Sequence, residues 1–422
     1  MRTTKFKPSE IGPIPMDWEV KRLGEFGAFK NGISKAADSF GHGVPFVNLV
    51  DVFGKSRLTS AEGLGLVEAS HAEIADCGLK QGDTLFVRSS VKPEGVGLAT
   101  VIDGELPNTV FSGFLLRYRD NELEVGYKRY AFAEAKFRRR VIAASTVSAN
   151  TNVNQTALKG LFVPVPPLPE QRRIATALSD ADAWIESLEK LIEKKKLVKQ
   201  GTMQALLSGK IRLPGFSGKW VERRLGECGV FRKGTGISRE DGRSGSIPAV
   251  RYGELYTHHD CIIQSFASHI SEAVASRATL LKPGDILFAC SGETKEEIGK
   301  CAAFIQPIRA YAGGDLLIMT PKPACCDSMF LGYALNASQC QAQKAASGQG
   351  DAVVHIHKGA VESIEISLPS TLAEQRAIAE VLSDMDAELA ALSREKAKAE
   401  QIKQGMMQEL LTGKTRLDKK GE

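Results

Sequence analysis

The sequence contains no run of about 18 apolar residues, so no membrane-spanning helix is expected. Residues Met1–Glu10 carry charges and no apolar stretch. A secretory leader is therefore not expected, and the cytoplasm is the expected compartment. Eight cysteines in 422 residues are too few for a disulfide scaffold, and seven of them fall in the second half without a CxxC pair. Free thiols in a reducing compartment is the expectation. Charge of either sign is not in large excess: 55 lysines and arginines against 50 acids leave +5. That balance permits nucleic-acid binding without arguing for it. An apolar fraction of 43% and a charged fraction of 25% exclude a largely disordered or collagen-like chain. The length suggests two or three domains.

Several chemistries are missing as well. Gly413-Lys414-Thr415 lacks the earlier glycine of a phosphate-binding loop. No GxSxG, HExxH or [DN]PP[YF] box occurs, nor a glycine-rich S-adenosylmethionine loop. His258, His259 and Cys261 cluster, but further ligands at metal-binding spacing do not follow, so no metal is expected.

What is present is a duplication. Glu170–Leu213 matches Glu374–Leu417 at a constant offset of 204 without a gap, with 23 of 44 positions identical. Trp18–Gly32 parallels Trp220–Gly234, and Leu79–Phe86 parallels Leu281–Phe288. The chain is thus two copies of a unit of about 200 residues. The middles, roughly 36–155 and 239–355, agree only in scattered places. A duplicated enzyme would tend to share its chemical groups. A duplicated reader would share its scaffold and differ in its reading surface.

Pro164, Pro166, Pro167 and Pro169 stop a helix from extending backwards from the first shared block. Beyond them Ile174, Leu178, Ala181, Ile185, Leu188 and Ile192 recur at spacings of 4 and 3, as do Ile378, Leu382, Met385, Leu389 and Leu392. That is a coiled-coil seam. Ser208-Gly209 and Thr412-Gly413 read as helix stops, with Lys210 and Lys414 near the negative end. Each helix would have roughly 38 residues and a length of roughly 57 Å. The expected partner of each helix is the other, paired antiparallel, with the variable domains at opposite ends; the alternative is that the helices pack only on their own domains or form a dimer. The run Lys194–Lys196 is expected to face outward.

The middles read as strands: 44–50, 83–88, 98–102 and 110–117 in the first copy, 247–251, 285–289, 301–305 and 316–319 in the second. Helical patches are expected at about 122–140 and 327–346. The fold class expected is α+β: a tandem duplication of an α/β domain followed by a long helix. The domains expected are 1–165 and 214–369, and the helix regions 166–213 and 370–422. Polar loops follow each GDxLF strand (88–92 and 291–295) and recur late in each middle (145–155 and 347–351). They carry the donors and acceptors that base edges and phosphates need. Asp285 followed by Glu293 and Lys295 mimics a metal-dependent nuclease pattern. In the first copy only Asp83 is retained, and a turn before a strand explains it.

The layout resembles the specificity subunit of type I restriction–modification enzymes. The motifs that carry the resemblance are Trp18–Gly24, Leu168–Ile174, Gly209-Lys210 and their second copies, with Ser370-Thr-Leu-Ala-Glu374 departing from the usual Pro-Leu-Pro-Glu. The resemblance implies two target recognition domains, each reading half of a bipartite double-stranded DNA site. It implies helices that space the readers and dock modification (methyltransferase) subunits, joined by an ATP-dependent restriction subunit. A rod of that length would cap the half-site separation near about 17 base pairs. Catalysis, S-adenosylmethionine, ATP and Mg²⁺ would belong to partners, with no cofactor in this chain. From their places beside or after strands, Asn48, Arg88, Ser90 and Lys92, and Arg251, Ser291, Lys295 and Gln349, are the candidate DNA contacts. The alternative is a coiled-coil scaffold with two protein-binding domains.

Overall fold

The computed structural model describes residues 5–147, 149–350 and 353–417. It divides into two compact units, Met1–Glu189 with Arg394–Glu422, and Lys190–Ser393. Both divisions between units fall inside the long helices Leu168–Leu207 and Leu372–Leu410.

In the first unit a five-stranded sheet runs in the order Gly27–Asn31, Leu115–Asp120, Thr84–Val87, Ala99–Ile102 and Arg57–Leu58. All neighbours are antiparallel except the last pair. A second sheet pairs Phe40–Val47 with Val110–Phe111 and Gly65–Val67. One core packs Trp18, Phe86, Tyr118, Tyr127, Phe132 and Phe137 against Ile174 and Leu178, and against Met407, Leu410 and Leu411. The end of the second long helix therefore completes the core of the first copy.

The second unit repeats the plan. Its main sheet runs Gly229–Lys233, Leu316–Pro321, Asp285–Ala289, Cys301–Phe304, antiparallel throughout. Its core packs Phe288, Phe330, Tyr333 and Leu331 against Ile378 and Leu382, and against Leu206 and Leu207. The expected helical patches are present as Val125–Ala131 with Ala135–Ala143, and Ser328–Ala334 with Ser338–Ser347.

The helix pairing is antiparallel within each unit. In the first, Arg416 meets Glu170, Lys403 meets Asp182 and Lys396 meets Glu189. In the second, Arg212 meets Glu374, Lys199 meets Asp386 and Lys195 meets Glu388. Residue numbers on one helix fall as those on the other rise. Two of the three pairs are duplicated residue for residue: Glu170 and Glu374, Asp182 and Asp386, Lys199 and Lys403, Arg212 and Arg416 stand 204 positions apart. A charge pair on an apolar seam pins the register, because a slip would bury each charge without its partner. Lys195 corrects the outward reading of its basic run. It lies on the seam, three residues after Ile192, while Lys194 and Lys196 are exposed.

Two strands end sooner than their apolar runs suggest. Phe40–Val47 stops where Asn48 caps the short helix Leu49–Val52. The run 110–117 breaks at Ser112–Phe114, because Ser112 N turns to Val47 O and Gly113 N to Ile33 O. The departure at Ser370–Ala373 leaves the helix entry unchanged. Both long helices start at equivalent residues, and Thr371 Oγ1 accepts from Glu374 N where the first copy has Pro167.

Candidate nucleic-acid interface

The candidate surface grows from the GDxLF strand of each copy. Gly82 and Gly284 have φ of 89° and 97°, which an L side chain rarely adopts, so the turn into the strand needs glycine. The next residue locks the turn: Asp83 accepts from Lys80 N and Asp285 from Lys282 N, both at 2.8 Å. Arg119 binds both Asp83 oxygens at 2.6 Å, and Arg232 does the same work for Asp285. Asp285 is fully buried and also accepts from Thr320. Its carboxylate has no free face for a metal ion, and the nuclease pattern loses the residue it depended on.

The strand then delivers Arg88. Its backbone N donates to Phe114 O at 2.9 Å and its carbonyl accepts from Val153 N at 2.9 Å. The exposed side chain lies over the 112–114 segment, with Nη1 3.4 Å from Gly113 O. Asn48 is exposed one residue beyond Val47, whose carbonyl accepts from Ser112 N at 2.9 Å. The 112–114 segment therefore brings Asn48 and Arg88 together. Ser89–Ser90 pair with Thr151–Asn152, which pair with Thr146–Val147. Ser90 Oγ accepts from Lys92 N at 3.3 Å. Lys92 is exposed at the start of the turn Pro93–Gly95, which Arg138 fastens by donating to Glu94 O and Val96 O at 2.9 and 2.7 Å. The four first-copy candidates thus share one neighbourhood.

The second copy builds the same backbone with other side chains. Cys290 takes the Arg88 position: its N donates to Asp315 O at 2.9 Å and its carbonyl accepts from Ile356 N at 3.0 Å. Gly313 N donates to Val250 O, so Arg251 stands where Asn48 does. Arg251 is half-buried, with Nε 3.1 Å from Glu254 and 2.9 Å from Ser268. Ser291 is buried, with Oγ 3.0 Å from His355 Nδ1 and its carbonyl accepting from Tyr256. Gln349 is exposed and exchanges backbone hydrogen bonds with His355. Lys295 is exposed on the 293–297 loop. Gln349 and Ser291 meet at His355. Ser148 and Asp351, within the late polar stretches, lie outside the described residues.

A cleft of about 440 Å³ opens beside Ser291 and His355, lined also by Lys233, His357, Lys358 and Asp315. Lys233, Ser291, His355, His357 and Lys358 carry groups that can donate to an anion. Ser291 and His355 touch like a nucleophile and base, yet among the described residues no carboxylate orients His355, and the first copy has Ser89 beside Asn152 instead. Position reading missed an apolar set in the first copy. Val91, Phe114 and Val147 are 82%, 61% and 78% exposed among these polar loops. Phe114 was hidden inside a run that reads as one strand. Asn31, exposed, and Gln155, half-buried, are joined at 3.1 Å.

A family model for the type I restriction modification DNA specificity domain matches residues 15–197 and again 217–404. The chain belongs to that family. Each match runs through one variable domain and on into a long helix, so the family's domain and the repeat coincide. Among curated relatives, a Methanocaldococcus jannaschii protein named for the MjaX type I restriction enzyme specificity subunit is 27% identical, covering 98% of this chain and 97% of its own. The MjaVIII specificity subunit of the same organism is 23% identical over 96% of this chain and 94% of its own. The fold resembles the type I restriction–modification S subunit of M. genitalium, with a TM-score of 0.56 at 15% identity over 99% of this chain and 100% of that one. A chain solved in work on the assembly and conformational transition of a type I system gives 0.58 at 16%, covering 95% and 99%. No helix among the described residues is long and apolar enough to cross a membrane.

Proposed function

We propose that this chain is the sequence-specificity subunit of a type I restriction–modification enzyme. The recognition domains, 1–165 and 214–369, each read one half of a bipartite, asymmetric target in double-stranded DNA. The helix regions, 166–213 and 370–422, space the readers and dock modification subunits, and an ATP-dependent restriction subunit joins that core. The chain itself is non-catalytic and works in the cytoplasm; S-adenosylmethionine, ATP and Mg²⁺ are bound by its partners.

One observation carries this reading. The two copies hold the same backbone clamp at the end of the GDxLF strand and present unlike side chains on it: Arg88 against Cys290, Ser90 against Gly292, Asn48 against Arg251. A frame kept while its displayed groups diverge suits two readers of different sequences. The relative whose title concerns complex assembly supports partner docking. So do Trp184 and Ile402 in the first unit and Leu197 and Val198 in the second, apolar helix residues between 40% and 61% exposed.

The test is a genome-wide map of N6-methyladenine in cells expressing this chain with its neighbouring modification subunit. One split motif with a fixed gap, lost on deletion of this chain, is expected. Exchanging residues 36–155 for those of another specificity chain should change one half of the motif only. An assembled complex that yields no methylated motif, and binds DNA without a steep salt dependence, would refute the reading in favour of a protein scaffold.

A further inference from the structure

The thiols of Cys228, Cys325 and Cys326 lie within 4.8 Å of one another, the only such group of three potential ligands among the described residues. Cys228 ends the short helix Leu225–Cys228, and the other two sit in the turn before the helix Ser328–Ala334. Backbone hydrogen bonds set the sulfurs in place. Lys322 N donates to Cys228 O at 2.8 Å, and Lys322 O accepts from Cys325 N and Cys326 N at 2.9 and 3.2 Å. Gln375 of the second long helix donates to Cys325 O at 3.2 Å and accepts from Asp327 N at 2.8 Å. The turn is thus fastened on both sides.

Packing alone does not require this cluster. The first copy has the same frame with Phe26 at the position of Cys228. A thiol is a weak donor and a weak acceptor, so three of them gain little from one another. Cys228 and Cys326 are buried, whereas Cys325 is half-buried and leaves one side of the cluster open. A thiolate is the form that binds metal.

We propose that Cys228, Cys325 and Cys326 form a three-thiolate site for one Zn²⁺ ion, with water in the fourth position on the open side of Cys325. Tetrahedral zinc with Zn–S bonds of about 2.3 Å needs sulfurs about 3.8 Å apart. The observed spacing of at most 4.8 Å closes to that by small side-chain rotations. Each thiol releases its proton to solvent as its sulfur binds. The bound ion clasps the helix Leu225–Cys228 to the turn that Gln375 already ties to the long helix.

The experiment uses the full chain, purified under reductant, stripped with a chelator and titrated with Zn²⁺ against a chromophoric competitor. Co²⁺ replaces Zn²⁺ in a parallel spectroscopic titration. One Zn²⁺ per chain is expected, with a thiolate-to-cobalt charge-transfer band whose intensity indicates three sulfurs. Cys325→Ser should weaken binding more than about tenfold and shrink the band. Cys340→Ser, at a buried cysteine outside the cluster, should change neither. Absence of the band in the unsubstituted chain overturns the proposal without recourse to any variant. So does a disulfide between two of the three thiols in protein kept reduced, or Zn²⁺ binding that Cys325→Ser and Cys228→Ser leave intact.

Discussion

Arg88 and Cys290 occupy the same backbone slot, so whatever the two copies do differently begins with side chains of this kind. The Arg88 side chain is exposed and makes one long contact, to Gly113 O at 3.4 Å. It is free to pair with phosphate or a guanine edge. Arg88→Ala should weaken DNA binding by the assembled complex by about 1–3 kcal/mol. If the contact is to phosphate, the salt dependence should also become shallower, by about one unit. Unchanged affinity and slope in a salt titration would remove Arg88 from the interface. A second residue-level prediction concerns His259. Burial, helped by the charges of His258 and Lys300, holds its imidazole down to about 4. Glu254 does not restore it, because the nearest approach is 3.9 Å and the other carboxylate oxygen is taken by Arg251 and Ser268. The unfolded chain takes up a proton near pH 6.5 that the folded chain refuses until about pH 4. Stability should therefore fall as pH drops through that window, by up to about 3 kcal/mol. Denaturant unfolding at stepped pH checks the loss, and an NMR titration placing His259 near 6.5 would contradict it.

Among the elements, the shared blocks have structural reasons for their identity. Glu170 accepts from the Trp18 indole at 2.9 Å and from Arg416; Glu374 accepts from Arg212. Gln171 caps Glu124 N at 2.7 Å as Gln375 caps Asp327 N at 2.8 Å. The motif is a latch that ties each recognition domain to its helix pair. Glu374 is 2% exposed, so Glu374→Gln leaves Arg212 without its counter-charge. A loss of about 2–3 kcal/mol in denaturant unfolding is expected, against almost none for the exposed Glu380→Gln. Equal stabilities would show that the latch contributes nothing. The elements were largely legible in the sequence, because a 4-3 apolar spacing admits one regular structure and GDxLF needs one turn. The run 110–117 was not. Its residues are strand formers throughout, and the break at Ser112–Phe114 comes from hydrogen bonds to Val47 and Ile33, more than sixty residues away.

For the whole chain, the duplication is the organising fact. The two copies reproduce the order of four strands in the main sheet and two of the ion pairs on the helix seam. The methylation experiment with exchanged 36–155 segments belongs to this scale, since it asks whether one copy's variable middle can change alone. The repeat, the family's motifs, the α+β class and the helix seam were determined by the sequence by itself. They rest on short-range spacing and on self-comparison, which need no coordinates. The tertiary structure decided which groups meet. It turned Arg251 toward Glu254, buried Ser291 against His355, exposed Phe114 and brought Cys228 to Cys325 and Cys326 from about a hundred residues away. Those outcomes depend on backbone hydrogen bonds between distant strands and turns, and one sequence carries no local signal of them.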